Sequence, residues 1–254
     1  MIGEETRLSR IMKNGKILIL AMDQGIEHGP VDFNDKNIDP DYVLRIAEKG
    51  GYTGFAIHKG IAYQYIENYA GKTPLILKLN GRTSINPKDE IYSSPIASVK
   101  EAVKLGADAI GYTLYVGSPA EAKMFKEFGA IHAEAKEYGM PTIVWSYPRG
   151  KFIKSEKDPQ TIAYAARVAL ELGADIVKVN YTESKDSFKQ VVQAAQNCHV
   201  ISSGGPKQTD SEFIKKAKEV MAAGAKGFAI GRNVWQNDDP MKITKELKKV
   251  VFGE

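Results

Sequence analysis

The chain has 254 residues, 43% of them apolar and 26% charged, with a formal net charge of +4. That length suffices for one large domain with a sizeable core. Its lysines alternate with glutamates instead of forming the concentrated basic face that nucleic-acid binding requires. A single cysteine, Cys198, excludes an internal disulfide and a cysteine-rich zinc site.

The chain begins "MIGEETRLSRIMKNGKILIL", polar and acidic up to an apolar run of strand length, with neither a secretory signal nor a membrane span. A cytoplasmic protein is therefore expected. Short runs rich in Val, Ile, Leu and Phe then recur: "KILILAM" (16–22), "GFAIHK" (54–59), "LILKLN" (75–80), "AIGYTLYV" (109–116), "TIVWSY" (142–147), "DIVKVNY" (175–181), "HVISS" (199–203) and "GFAIG" (227–231). Longer amphipathic stretches fill the intervals, from "DPDYVLRIAEKGG", with Asp39 or Asp41 as N-cap, to the final "DPMKITKELKKVVF". The segment from Asn80 to Ser94 reads as a longer loop.

Three stretches, "AVKLGADAI", "ALELGADIV" and "VMAAGAKGF", each end a helix on Gly-Ala and run directly into a strand. Eight such αβ units predict a single-domain (β/α)₈ barrel over residues 1–254, with an open doubly wound sheet as the competing arrangement. In a barrel, function collects at the C-terminal ends of the strands.

Alternation puts Ile176, Lys178 and Asn180 on one face of the sixth strand, with Val177 and Val179 toward the helices. Lys178 then enters the barrel, where burial favours the neutral amine that Schiff-base chemistry requires. A structural ion pair would be its other use. Lys78 and Lys59 end the third and second strands in comparable positions, so the pattern leaves three lysines in contention, one as nucleophile and another as its neighbour.

The seventh strand ends "SSGGPK" and the eighth "AIGRNVWQ". Glycine-rich turns allow close backbone approach to an anion, and these two loops form the recurrent phosphate site of barrel enzymes. Ser203, Gly204, Gly205, Gly231 and Arg232 are the phosphate candidates. Asp23, in "AMDQGIEHGP", stands where a carboxylate could pair with a lysine or orient a hydroxyl. In "VWSYPRG", Trp145 and Tyr147 share a face and Arg149 follows in the loop; a tyrosine phenol can exchange a proton beside a carbonyl. The four histidines lack metal-ligand spacing and no G-x-G-x-x-G follows a strand, so neither metal nor cofactor is expected.

Taken together, "DQGIEHGP", "LKLNG", "GYTLYVGS", "WSYPRG", "DIVKVNYT", "SSGGPK" and "IGRNVWQ" resemble, in order and nearly end to end, the motifs of the archaeal-type class I fructose-1,6-bisphosphate aldolases. The resemblance implies Lys178 as Schiff-base lysine and Tyr147 as proton donor and acceptor, with Asp23 and Trp145 lining the reacting centre. It assigns the glycine loops, Ser203 and Arg232 to the phosphate of the dihydroxyacetone half, and Arg149 to the other end; Lys78, placed by its strand position and not by the resemblance, is a further substrate-binding candidate. It also implies a homo-oligomer, a dimer of pentamers. A sister group making precursors of aromatic amino acids (2-amino-3,7-dideoxy-heptulosonate synthase type) shares the lysine, the tyrosine and the phosphate loops; Glu27, His28 and Trp145 favour the aldolase. A metal-free sugar-phosphate isomerase and a non-catalytic barrel that binds a sugar phosphate are the readings from other classes.

Overall fold

The computed structural model describes residues 1–86 and 90–254. Eight parallel strands close into a barrel: β1 (Ile17–Ala21), β2 (Gly54–His58), β3 (Leu75–Lys78), β4 (Ala109–Val116), β5 (Thr142–Pro148), β6 (Ile176–Val179), β7 (His199–Ser203) and β8 (Gly227–Ile230). Each pairs with its sequence neighbours, and β1 closes the ring on β8, with Ile17 opposite Gly227 and Ile19 opposite Ala229. The open sheet is excluded.

Strand alternation separates two apolar clusters. Residues such as Leu18, Phe55, Leu77, Tyr112, Val177, Val179 and Phe228 face outward against the helices. Ile17, Ile19, Ala56, Ile76, Ile143, Ile176 and Ile201 fill the lumen. The expected orientation of β6 is the one observed.

The three Gly-Ala joins have a common geometry. Gly106, Gly173 and Gly224 take φ of +70°, +89° and +98°, the left-handed region that lets a helix stop without a Cβ clash. The alanine amides that follow, of Ala107, Ala174 and Ala225, turn back to the carbonyls of Ala102, Ala169 and Val220. The next strand starts at once.

Several elements depart from the sequence reading. A helix at Ile2–Ile11 precedes the barrel and plugs its N-terminal end with Leu8, Ile11 and Met12, which pack on the lumen cluster. Short helices follow β1 (Gly25–His28) and β8 (Arg232–Trp235). The expected 80–94 loop is pinned at its base, where Asn80–Gly81 pairs antiparallel with Ser94–Pro95; its residues 87–89 lie outside the described residues. Lys59 does not end β2. It starts the helix Lys59–Tyr65 and reaches Glu101 Oε1 at 3.1 Å.

Candidate active site at the C-terminal mouth of the barrel

The upper lumen opens into a cavity of about 760 Å³. Eleven of the residues singled out from the sequence line it: Asp23, Lys78, Trp145, Tyr147, Arg149, Lys178, Ser203, Gly204, Gly205, Gly231 and Arg232. Lys59 does not, which removes one of the three lysines.

Lys178 arrives from β6 two residues above Ile176, so the period of the strand carries it from the apolar floor to the cavity. Its side chain is buried, with Nζ 5.0 Å from the centroid of the Trp145 ring. Burial lowers its pKa to about 8, with the Lys78 charge adding to the effect and Asp23 opposing it. At pH 7 that raises the neutral fraction by roughly two orders of magnitude over an ordinary lysine.

Lys78, equally buried, enters from β3 and is held differently. Its Nζ donates to the Asn80 carbonyl at 3.1 Å, lies 3.9 Å from Asp23 Oδ2 and sits 5.4 Å from the Trp145 ring. Burial lowers its pKa too, while Asp23 opposes the shift. Gly111 makes room for both neighbours, since a Cβ there would meet Trp145 Cζ3 at 2.5 Å and Lys78 Cδ at 3.1 Å. Burial alone would raise the Asp23 carboxyl, but Lys178 and Lys78 outweigh it and hold the group below its usual range.

On β5, Trp145 and Tyr147 face inward as alternation requires, and burial raises the Tyr147 phenol well above its ordinary range despite the nearby Arg149. The phenol stays protonated at physiological pH. The Arg149 guanidinium lies 5.1 Å from the Tyr147 ring and bridges two carboxylates, Glu27 Oε1 at 3.0 Å and Glu156 Oε2 at 2.9 Å.

The opposite wall is built from the loops after β7 and β8. Ser203 Oγ donates to Asn180 Oδ1 at 2.8 Å. Among the described residues, the backbone amides of Gly204, Gly205, Gly231 and Arg232 find no backbone or side-chain acceptor within the protein. Four unengaged amides, with the Arg232 guanidinium 3.6 Å from Asp32 Oδ1 beside them, make a wall of donors of the kind that can receive an anion.

Sequence reasoning missed other residues of the cavity. His58 ends β2 and faces the lumen above Ala56; its Nε2 donates to the Asp23 carbonyl at 2.8 Å, and burial lowers its pKa to about 4, so the ring is neutral. The same alternation that put Lys178 inside would have chosen His58 over Lys59. Trp145 Nε1, Gln24 Nε2 and Arg82 Nε are buried here without a partner among the described residues, an arrangement that favours a polar ligand. No group of three or more His, Cys, Asp or Glu comes together as a metal site among the described residues, and no described helix is long and apolar enough to cross a membrane.

Comparison with known proteins agrees with this geometry. Residues 17–237 match the family model of the DeoC/LacD family aldolases. The class 1 fructose-bisphosphate aldolase of Thermoproteus tenax is 48% identical over 244 residues, covering 95% of this chain and 91% of that protein. That of Halobacterium salinarum is 44% identical over 248 residues, covering 97% and 94%. A solved archaeal fructose-1,6-bisphosphate aldolase, whose catalytic lysine is covalently bound to the carbinolamine intermediate of its substrate, superposes with a TM-score of 0.94 at 46% identity and covers 98% of this chain and 100% of its own. The chain belongs to the DeoC/LacD family of aldolases and, within it, to the class 1 fructose-bisphosphate aldolases.

Proposed function

We propose that the protein is a class I, Schiff-base fructose-bisphosphate aldolase, a lyase that reversibly cleaves fructose 1,6-bisphosphate to dihydroxyacetone phosphate and glyceraldehyde 3-phosphate. The observation that carries this reading is the buried Lys178 amine, lowered in pKa to about 8, in a polar cavity of a chain with this family membership. Residues 1–254 serve as one catalytic domain.

Neutral Lys178 attacks the substrate ketone and loss of water gives an iminium, which withdraws electrons far better than a carbonyl. A base takes the C4 hydroxyl proton, the C3–C4 bond breaks with its electron pair passing into the iminium to give an enamine, and the aldehyde leaves. Tyr147, kept protonated by burial, delivers a proton to the enamine carbon. Hydrolysis of the second iminium then frees dihydroxyacetone phosphate and the lysine. Asp23 balances the amine charges, and Trp145 offers its unpartnered Nε1–H to a substrate hydroxyl. The Gly204–Gly205 and Gly231–Arg232 loops with Ser203 hold the ketone-side phosphate, and Arg149 holds the aldehyde-side phosphate. Lys78 depresses the Lys178 pKa and contacts substrate oxygens.

Borohydride reduction in the presence of dihydroxyacetone phosphate, followed by peptide mass mapping, tests the reading: a stable adduct on Lys178 is expected, and no adduct, or one on Lys78 alone, contradicts it. The reading places the enzyme in the cytoplasm, in glycolysis and gluconeogenesis, as a decamer of paired pentamers. Exposed Tyr164 and Phe152 are apolar surface of the kind such an assembly covers, and light scattering of the purified protein measures its mass.

A further inference from the structure

The helix Asp210–Ala222 carries three lysines in the run "KKAK", and they are not equivalent. Lys215 and Lys218 are exposed, whereas Lys216 turns inward and lines the cavity. Its Nζ donates to the Ser203 carbonyl at 3.2 Å and the Gly204 carbonyl at 3.0 Å, and lies 5.9 Å from the centroid of the Tyr181 ring. Asn233, fully buried, reinforces the grip: its Nδ2 donates to the Gly204 carbonyl at 3.2 Å and the Pro206 carbonyl at 2.9 Å. Its Oδ1 accepts from the Gln208 amide at 2.9 Å.

These carbonyls therefore all turn toward one side of the loop. None of the described peptide bonds is cis, and in a trans peptide the C=O and N–H point in opposite directions. Fixing the Ser203 and Gly204 carbonyls on the helix side aims the Gly204 and Gly205 amides at the cavity. Gly205 needs this help, because its φ of +76° belongs to a conformation that a free glycine loop adopts only part of the time. An amide already aimed at an anion binds it without a further ordering cost.

We propose that Lys216 is a positioning residue for the ketone-side phosphate: it acts through the Ser203–Gly204–Gly205 backbone, holding two amide donors on the substrate, and so sets the enzyme's preference for a phosphorylated over an unphosphorylated ketone. Burial, with the Lys157 charge adding to it, lowers the Lys216 pKa to about 8, in keeping with an ammonium whose donors go to carbonyls in place of a carboxylate. The inference rests on the aldolase reading above, since it uses the ketone half of that substrate.

The test compares borohydride trapping at Lys178 by dihydroxyacetone phosphate with trapping by dihydroxyacetone, in wild-type protein and in Lys216→Met and Lys216→Arg. In Lys216→Met the preference for the phosphorylated ketone is expected to fall roughly ten- to a hundredfold, while trapping by the unphosphorylated ketone is unchanged; Lys216→Arg restores the preference. A preference left intact in Lys216→Met, or a loss shared equally by both ketones, overturns the proposal. Lys216→Gln takes the place of Lys216→Met should that variant fail to fold. Wild-type protein that is trapped by neither ketone overturns the aldolase reading itself, and the two failures are thereby told apart.

Discussion

The two halves of the barrel lumen are made by the same strands, two residues apart, and are chemically opposite. On β6 Ile176 gives way to Lys178, on β3 Ile76 to Lys78, on β2 Ala56 to His58 and on β7 Ile201 to Ser203. The lower half is an apolar plug sealed by the Ile2–Ile11 helix. Even the charges beneath it are satisfied: Lys136 pairs with Glu4 and with Asp175, whose Oδ2 accepts from the Thr142 amide at 2.7 Å. In the upper half, two ammonium groups share one carboxylate, and the buried donors of Trp145, Gln24 and Arg82 have no partner among the described residues. The contrast teaches a division of labour. Stability is concentrated at the floor, and the mouth holds its polar groups ready for a ligand at a cost to folding.

Substitutions in the two halves should consequently fail in different ways. Lys178→Met is expected to have the largest effect, a drop in kcat of roughly 10⁴-fold or more. The same change is expected to raise Tm, because an amine whose pKa falls on folding destabilises the native state at every pH where it must carry a proton. Activity assays and thermal melts check both, and a lowered Tm would break the comparison. Tyr147→Phe should lose roughly 10²–10³-fold in turnover while borohydride trapping at Lys178 persists, which separates proton transfer from Schiff-base formation. Ile176→Ala, one turn of the pleat below the lysine, should cost about 2–5 kcal/mol of stability by denaturant unfolding, with the Lys178 adduct still formed. Lys136→Met, under the floor, should cost about 1–3 kcal/mol and leave kcat unchanged; a comparable loss of turnover there would show that the halves are not separable.

Much of this division was legible in the sequence because a strand's period of two is simple. Ile176–Lys178–Asn180 and Trp145–Tyr147 were placed on the inner face from alternation alone, and they stand there. Lys59 stands outside the lumen because the apolar run "GFAIHK" extends one residue past the strand it encodes: β2 ends at His58 and a helix begins at Lys59. The helix Ile2–Ile11 was missed although Leu8, Ile11 and Met12 have the i, i+3, i+4 spacing, since three apolar residues within a polar segment give little signal. Lys216 could not be found at all. Nothing in "KKAK" distinguishes the lysine that turns inward from its two exposed neighbours until the helix is docked against the barrel.

The central claim is that burial in the upper lumen leaves the Lys178 amine neutral often enough to attack a ketone. It is tested most directly by the pH dependence of single-turnover adduct formation with dihydroxyacetone phosphate, read as the borohydride-trapped Lys178 peptide. Because attack requires the unprotonated amine, the rate should rise with pH, pass its midpoint at about 8 and then level off. A rate that keeps climbing beyond pH 10, as for a lysine in water, would contradict the account.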